Sequence, residues 1–221
     1  MLPACIFRNW FLPIYVTVLI FSGGLCSAQN GNTQGEATTY FSFKSAHEIS
    51  GLGYATLYNQ KNFWQLRYNY EEMNTLSFFW GRPFEAQKKS FYLQVVPSIG
   101  VSLGQFNGIH PAVMLFAGNE IIEFSSSNQF SVCLTHPDKS FFYSWTDAIY
   151  THKGIAKLGS VVQFLNQYAV KKSGEQVKSR MQVDIGLVTG FEYRKIEALI
   201  YLFLFDNSNR HFALGVTYSF P

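Results

Sequence analysis

Between residues 88 and 103 the chain alternates strictly. Phe91, Leu93, Val95, Pro97, Ile99, Val101 and Leu103 share one parity, while Tyr92, Gln94, Val96, Ser98, Gly100 and Ser102 take the other. Side chains of a β-strand point to opposite faces in turn, so one face of this segment is apolar and the other is small and mostly polar. Strands of soluble domains average about 5–6 residues, and this alternation runs well beyond that. A strand crossing a bilayer needs about 9–11 residues, with an apolar face toward lipid and a polar face toward the lumen. Residues 63–71 repeat the pattern, with Trp64, Leu66, Tyr68 and Tyr70 opposite Gln65, Arg67, Asn69 and Glu71. In residues 75–81, Leu76, Phe78 and Trp80 share the apolar parity, and in 180–193 Met181, Val183, Ile185 and Leu187 stand opposite Gln182, Asp184, Gly186 and Gly190.

Extended along the chain, this reading predicts an all-β fold, an antiparallel transmembrane β-barrel of about 12 strands with up-and-down meander connections. The strands fall at 37–45, 51–59, 63–71, 75–81, 88–103, 109–117, 120–134, 140–150, 155–168, 180–193, 196–205 and 210–220. Ten is the alternative if the first two lie outside the wall. An even count places both termini on one side. The polar stretch 169–178 then falls among the longer outer loops, while Gly118-Asn119 and Arg194-Lys195 become short periplasmic turns. Segment 196–205 is apolar on both faces apart from Glu197, which leaves its orientation open.

Composition sharpens this picture. The chain of 221 residues is 48% hydrophobic and 18% aromatic but only 14% charged, against about 25% charged in ordinary globular chains. Outside the first thirty residues no apolar run approaches the ~20 residues of a membrane helix. At the start, Arg8 precedes the apolar run 11–21 and a small-residue segment ending at Ala28, the layout of a secretory signal peptide. Leu25 stands where a lipobox before Cys26 wants a small residue, which argues against lipidation. The predicted organisation is a signal peptide at 1–28, a flexible leader at 29–36 and a barrel at 37–221. Cleavage removes Arg8, Cys5 and Cys26, taking the formal charge from +3 to +2 and leaving Cys133 with no partner for an internal disulfide. So small an imbalance gives no reason to expect nucleic acid as a partner. The expected partners are outer-membrane lipid, lipopolysaccharide and the barrel assembly machinery. The oligomeric state is left open.

The last segment sets Phe212, Leu214, Val216, Tyr218 and Phe220 against Ala213, Gly215, Thr217 and Ser219. It resembles the C-terminal signal of bacterial outer-membrane proteins, in which an alternating last strand closes on an aromatic residue. Pro221 departs from that pattern by moving the aromatic to the penultimate position. The resemblance implies that Tyr218 and Phe220 serve barrel assembly. Residues 67–84 (RYNYEEMNTLSFFWGRPF), 95–104 (VVPSIGVSLG) and 141–150 (FFYSWTDAIY) are similar to a recurrent group of uncharacterised bacterial outer-membrane proteins. Ala28-Gln29 resembles cleavage sites of Bacteroidetes-type bacteria. The group has no established activity, so the resemblance implies a barrel and no particular chemistry.

No CxxC, HExxH, P-loop or GxGxxG motif is present, and none of the five histidines has the Ser at i+2 that lipid-hydrolysing barrels use. Omptin-type proteases need paired acids, whereas Asp138, Asp147, Asp184 and Asp206 are far apart in sequence. His110, His136, His152 and His211 sit beside predicted turns and read as solvated loop residues. No catalytic, cofactor-binding or metal-ligating residue is identified, and no cofactor is expected. Charge is costly on a lipid-facing wall, so Lys44, Gln65, Gln94 and Gln163 are assigned inward together with the candidate lumen network. That network is Arg67, Asn69, Glu71, Glu123, Lys157, Asp184 and Glu192, with Glu123, Asp184 or Glu192 as the expected partner of Arg67. Trp64, Tyr68, Tyr70, Phe78, Trp80, Tyr193, Tyr218 and Phe220 are expected on the outer wall. The implied function is a narrow pore for small polar solutes or a structural wall protein in the outer membrane. The alternatives are a barrel-embedded lipid-modifying hydrolase and a surface receptor or adhesin.

Overall fold

In a computed structural model, described over residues 33–45, 48–168, 180–204 and 211–220, the chain forms a closed antiparallel barrel. The strands are β1 (Gln34–Ser45), β2 (Glu48–Tyr58), β3 (Phe63–Tyr68), β4 (Thr75–Gly81), β5 (Phe84–Lys88), β6 (Phe91–Gly104), β7 (Gly108–Gly118), β8 (Ile122–Cys133), β9 (Phe141–His152), β10 (Ala156–Gln167), β11 (Arg180–Tyr193), β12 (Ile196–Phe203) and β13 (His211–Phe220). Strands that follow one another in the chain pair, except β4 with β5. β1 pairs with β13 from Gly35↔Phe220 to Phe43↔Phe212, which closes the wall. The signal peptide and the first half of the leader, the polar stretch 169–178 and Asp206 lie outside the described residues. β1 begins three residues before the expected start, so the end of the predicted leader belongs to the wall.

β4 and β5 both pair with β6, at Gly81↔Ser98 and Phe84↔Val95, so together they make one wall strand interrupted at Arg82-Pro83. The wall therefore has twelve strands. Sequence reading takes residues 82–87 as a connection, which would be long for a periplasmic turn. The structure carries Phe84–Lys88 in the wall and leaves only Lys89-Ser90 as the turn. Three wall strands carry a proline in adjoining positions. Beside Pro83 lie Pro97 in β6 and Pro111 in β7. The β7–β8 ladder passes from Ile109↔Val132 to Ala112↔Gln129 with no pairing at Pro111, because proline has no N–H to give.

One end of the barrel holds both chain termini and the tightest turns. At Asn59 and Asn119 the side-chain carbonyl accepts the backbone N–H groups two and three residues on, at 2.8–2.9 Å. Such Asx turns suit short reversals. Lys153-Gly154 takes positive φ at both residues (52° and 67°), left-handed geometry suited to a tight reversal, in the three-residue connection between His152 and its partner Ala156. The opposite end carries the longer connections, here called the loop end.

Alternation in burial shows which face meets lipid. In β4, Thr75, Ser77 and Phe79 are buried, while Leu76, Phe78 and Trp80 are exposed. The same apolar belt continues through Ile99 and Val101, Leu158 and Val162, and Ile185 and Leu187. Trp64, Tyr68, Tyr193 and Tyr218 share this outer parity. Phe220 does too, but its ring is only 6% exposed because it lies over Gly35, where an added Cβ would fall 2.0 Å from the ring. Ala37 and Ala55 complete this cradle, so the last ring packs against the first strand across the closing seam.

Tyr70 is the exception. β3 ends at Tyr68, and Asn69 takes φ 59°, which breaks the strand period. Tyr70 turns inward against Tyr143, with ring centroids 5.9 Å apart. The expectation that Tyr70 faces outward is corrected by that single left-handed residue.

The lumen is partly filled by two apolar groups on its flanks. Phe63, Phe79, Val96, Ala112 and Met114 pack on one side. Ile149, Val161, Val188, Leu199, Tyr201, Phe203 and Ala213 pack on the other, with Tyr40 and Trp145 against them.

Candidate functional site: the lumen

The inward parity of β3 places Arg67 inside the barrel, only 2% exposed. Its Nε donates to Gln65 Oε1 and its Nη1 to Gln129 Oε1, each at 2.6 Å. The guanidinium is clamped between two rings, with its carbon 4.3 Å from the centroid of Tyr70 and 4.0 Å from that of Phe79. Its carboxylate partner is Glu71, at 3.6 Å. Glu123, Asp184 and Glu192 are not its partners, which corrects that expectation. Glu71 can reach because the chain turns inward after Asn69; it also accepts from the Ser77 hydroxyl and, at 3.2 Å, from Gln129 Nε2.

Asn69 belongs to the turn and not to the lumen network. Its Oδ1 accepts the Asn74 N–H at 2.7 Å and its Nδ2 donates to the Gly51 carbonyl at 3.2 Å. A residue at the end of β3 that must adopt positive φ uses its short amide locally, so its assignment to the inward network is corrected.

From Gln129 the hydrogen bonds continue to Ser131 Oγ at 2.7 Å and on to His110, whose Nδ1 meets Ser131 Oγ at 2.9 Å and whose Nε2 meets Ser102 Oγ at 2.8 Å. His110 is wholly buried, not solvated as its place beside a turn suggests. Both ring nitrogens are taken up by serine hydroxyls, and Phe79 and Phe106 lie 5.6 and 5.5 Å away, which leaves no room for a substrate. This contact crosses the β7–β8 ladder at the point where Pro111 interrupts it, so side chains replace the missing backbone bond.

Together these groups form a strut. Gln65 reaches back to Thr56 on β2 at 2.9 Å, and Arg67 spans from β3 to Gln129 on β8. Between β3 and β8 lie the wall strands containing β4, β6 and β7, so the strut closes off the sector filled by Phe79, Phe106 and His110. Beyond it remains a cavity of about 860 Å³. Its lining runs from Glu36 and Glu85 at the terminus end, past Tyr54, Tyr143 and Asp147, to Ser42, Ser50 and His211 at the loop end.

Lys157 occupies the inward face of β10 near the terminus end. Its Nζ lies 2.9 Å from Glu192 and 3.7 Å from Glu123, and it also bonds Glu197. Glu197 is absent from the sequence-derived set because β12 is apolar on both parities; a polar residue facing Glu192 across the β11–β12 hairpin was the available signal. Asp184 is buried and accepts from Gln182 Nε2 at 2.7 Å. Asp147 is a further lumen acid that spacing did not reveal, held by Ser125 Oγ at 2.6 Å and Trp145 Nε1 at 3.2 Å. Gln94 donates to Glu85 at 2.6 Å, and Gln163 lines the cavity. The side chain of Lys44 lies outside the described residues. His136 and His152 are exposed, and His211 stacks on Phe203 at 4.5 Å. Outside the wall, Lys139 joins the loop after β8 to the loop after β3 through Glu72 at 2.8 Å, a hydrogen bond that raises the lysine above its ordinary pKa. Among the described residues no group of three or more His, Cys, Asp or Glu could hold a metal ion.

The closed twelve-strand wall, apolar belt and charged lumen define a transmembrane β-barrel of the bacterial outer-membrane type. Among solved structures the chain is similar to the KdgM porin in complex with disordered oligogalacturonate, with TM-score 0.56 and 9% identity over 84% of this chain and 99% of that one. It is also similar to the NanC porin, with TM-score 0.51 and 8% identity over 85% of this chain and 99% of that one. At such identities the likeness is one of fold. No protein-family model and no curated protein matches the chain.

Proposed function

We propose that the protein is a narrow outer-membrane pore for small polar solutes, oriented with its termini and short turns in the periplasm. The observation that carries this reading is the cavity beside the Arg67 strut, whose lining extends from one end of the barrel toward the other. Fold likeness to two porins is consistent with it. The resemblance of residues 67–84 to uncharacterised, Bacteroidetes-type outer-membrane proteins belongs to the same reading. So do an outer surface in contact with lipid and lipopolysaccharide, a cleaved signal peptide, and recognition of Tyr218 and Phe220 by the assembly machinery.

The pore is tested by reconstituting folded protein into planar bilayers. Discrete conductance steps are the expected result, and their absence at high protein density would leave the structural wall reading. Tyr70 and Tyr143 meet over the cavity lining near the loop end. Tyr143→Ala therefore enlarges the path and raises single-channel conductance above that of the parent. An unchanged or smaller conductance in a correctly folded variant contradicts a path running past this pair.

A further inference from the structure

Among the described residues, the cavity lining carries four carboxylates, Glu36, Glu85, Asp147 and Asp184, and a single arginine. That arginine is Arg67, already committed to Glu71, Gln65 and Gln129. At the terminus end the imbalance deepens, because Glu123, Glu192 and Glu197 share the one ammonium of Lys157. From these charges we infer that the pore admits small cations in preference to anions, an inference that rests on the pore reading and specifies its solute class.

Low-dielectric walls focus the field of such a lining and raise the local concentration of counter-ions. A second feature acts in the same direction. The cavity is walled by rings, among them Tyr40, Tyr54, Tyr58, Tyr143 and Trp145, whose π faces attract cations such as organic ammonium groups. Exposed bases do occur at the terminus-end turns, including Lys61, Lys89, Lys153 and Arg194. They belong to the turns and do not line the cavity, and salt screens exposed charges within about 10 Å at 0.1 M. The lining therefore sets the sign. A carboxylated solute of the oligogalacturonate kind would meet like charge at both levels of this lumen.

The test is a reversal-potential measurement on wild-type protein across a KCl gradient in planar bilayers, with circular dichroism confirming β-structure. K⁺ is expected to permeate about tenfold better than Cl⁻ at low salt, with the preference shrinking as ionic strength rises. Glu36→Gln combined with Glu85→Gln is expected to lower that preference. Among the described residues no side-chain hydrogen bond to Glu36 is seen, and Glu85 accepts one, from Gln94, so the barrel is expected to tolerate the exchange. A conducting wild-type channel that is non-selective or prefers Cl⁻ overturns the inference while leaving the pore standing. A preference unmoved in the folded double variant overturns the role of these carboxylates. No conductance at all removes the pore and the inference with it.

Discussion

Arg67→Ala is expected to lower the unfolding free energy of the barrel by about 3–5 kcal/mol, the range for removing one partner of a buried ion pair. The change strips Glu71, Gln65 and Gln129 of their shared donor and leaves the Glu71 carboxylate inside without compensation. Arg67→Lys recovers little, since an ammonium lacks the planar fork that serves two amide oxygens and fills the gap between Tyr70 and Phe79. Arg67→Met combined with Glu71→Gln recovers much of the loss by removing both charges. Denaturant unfolding in detergent, followed by tryptophan fluorescence, reads all three. A single variant as stable as the parent would show that the strut carries no load.

Two adjacent phenylalanines give the second large effect. Phe79→Ala should cost about 3–5 kcal/mol, as for other fully buried aromatic truncations. Its ring is 0% exposed, covers Gly100 and forms one jaw of the clamp on Arg67. Phe78→Ala, one residue earlier on the lipid face, should cost less, about 1.5–3 kcal/mol, because only the water-to-lipid transfer of the ring is lost and no protein cavity forms. The same unfolding assay compares them. Equal losses at both positions would mean that the assigned register of β4 is wrong.

That register was readable because β4 and β6 obey period two without interruption, and each strand then has only one way to face lipid. The short reversal at Gly118-Asn119 was readable as well, since both residues are of types that turn chemistry favours. Legibility failed where one residue resets the period. Asn69 at positive φ sends both Tyr70 and Glu71 inward, and alternation carried through it assigns Tyr70 to the wrong face. The partner of Arg67 was missed for the same reason. Glu71 shares the inward parity of Arg67, but four residues of continuous strand would hold it about 13 Å away, and the reversal at Asn69 is what brings it within reach. His110 shows another limit. Proximity to a turn suggested water, whereas its surroundings are set by β6 and β8, which are remote in sequence. Glu197 was undecided because β12 buries rings on its inward face, so apolar content no longer distinguishes lipid from lumen.

The three prolines have a consequence for how the wall breathes. Pro83, Pro97 and Pro111 sit in neighbouring wall strands, and each removes an amide that a closed sheet would otherwise use. The seam between β1 and β13 lies about half-way round the barrel and has nine consecutive register pairs with Phe220 locked over Gly35. Cooperative opening should therefore begin on the proline side, in the sector that the strut closes off, and not where the ends of the chain meet. In deuterium-exchange mass spectrometry, peptides from β5 and the middle of β7 should take up label before those from β1 and β13. The Ser131, His110 and Ser102 contacts would then be what keeps that uptake slow.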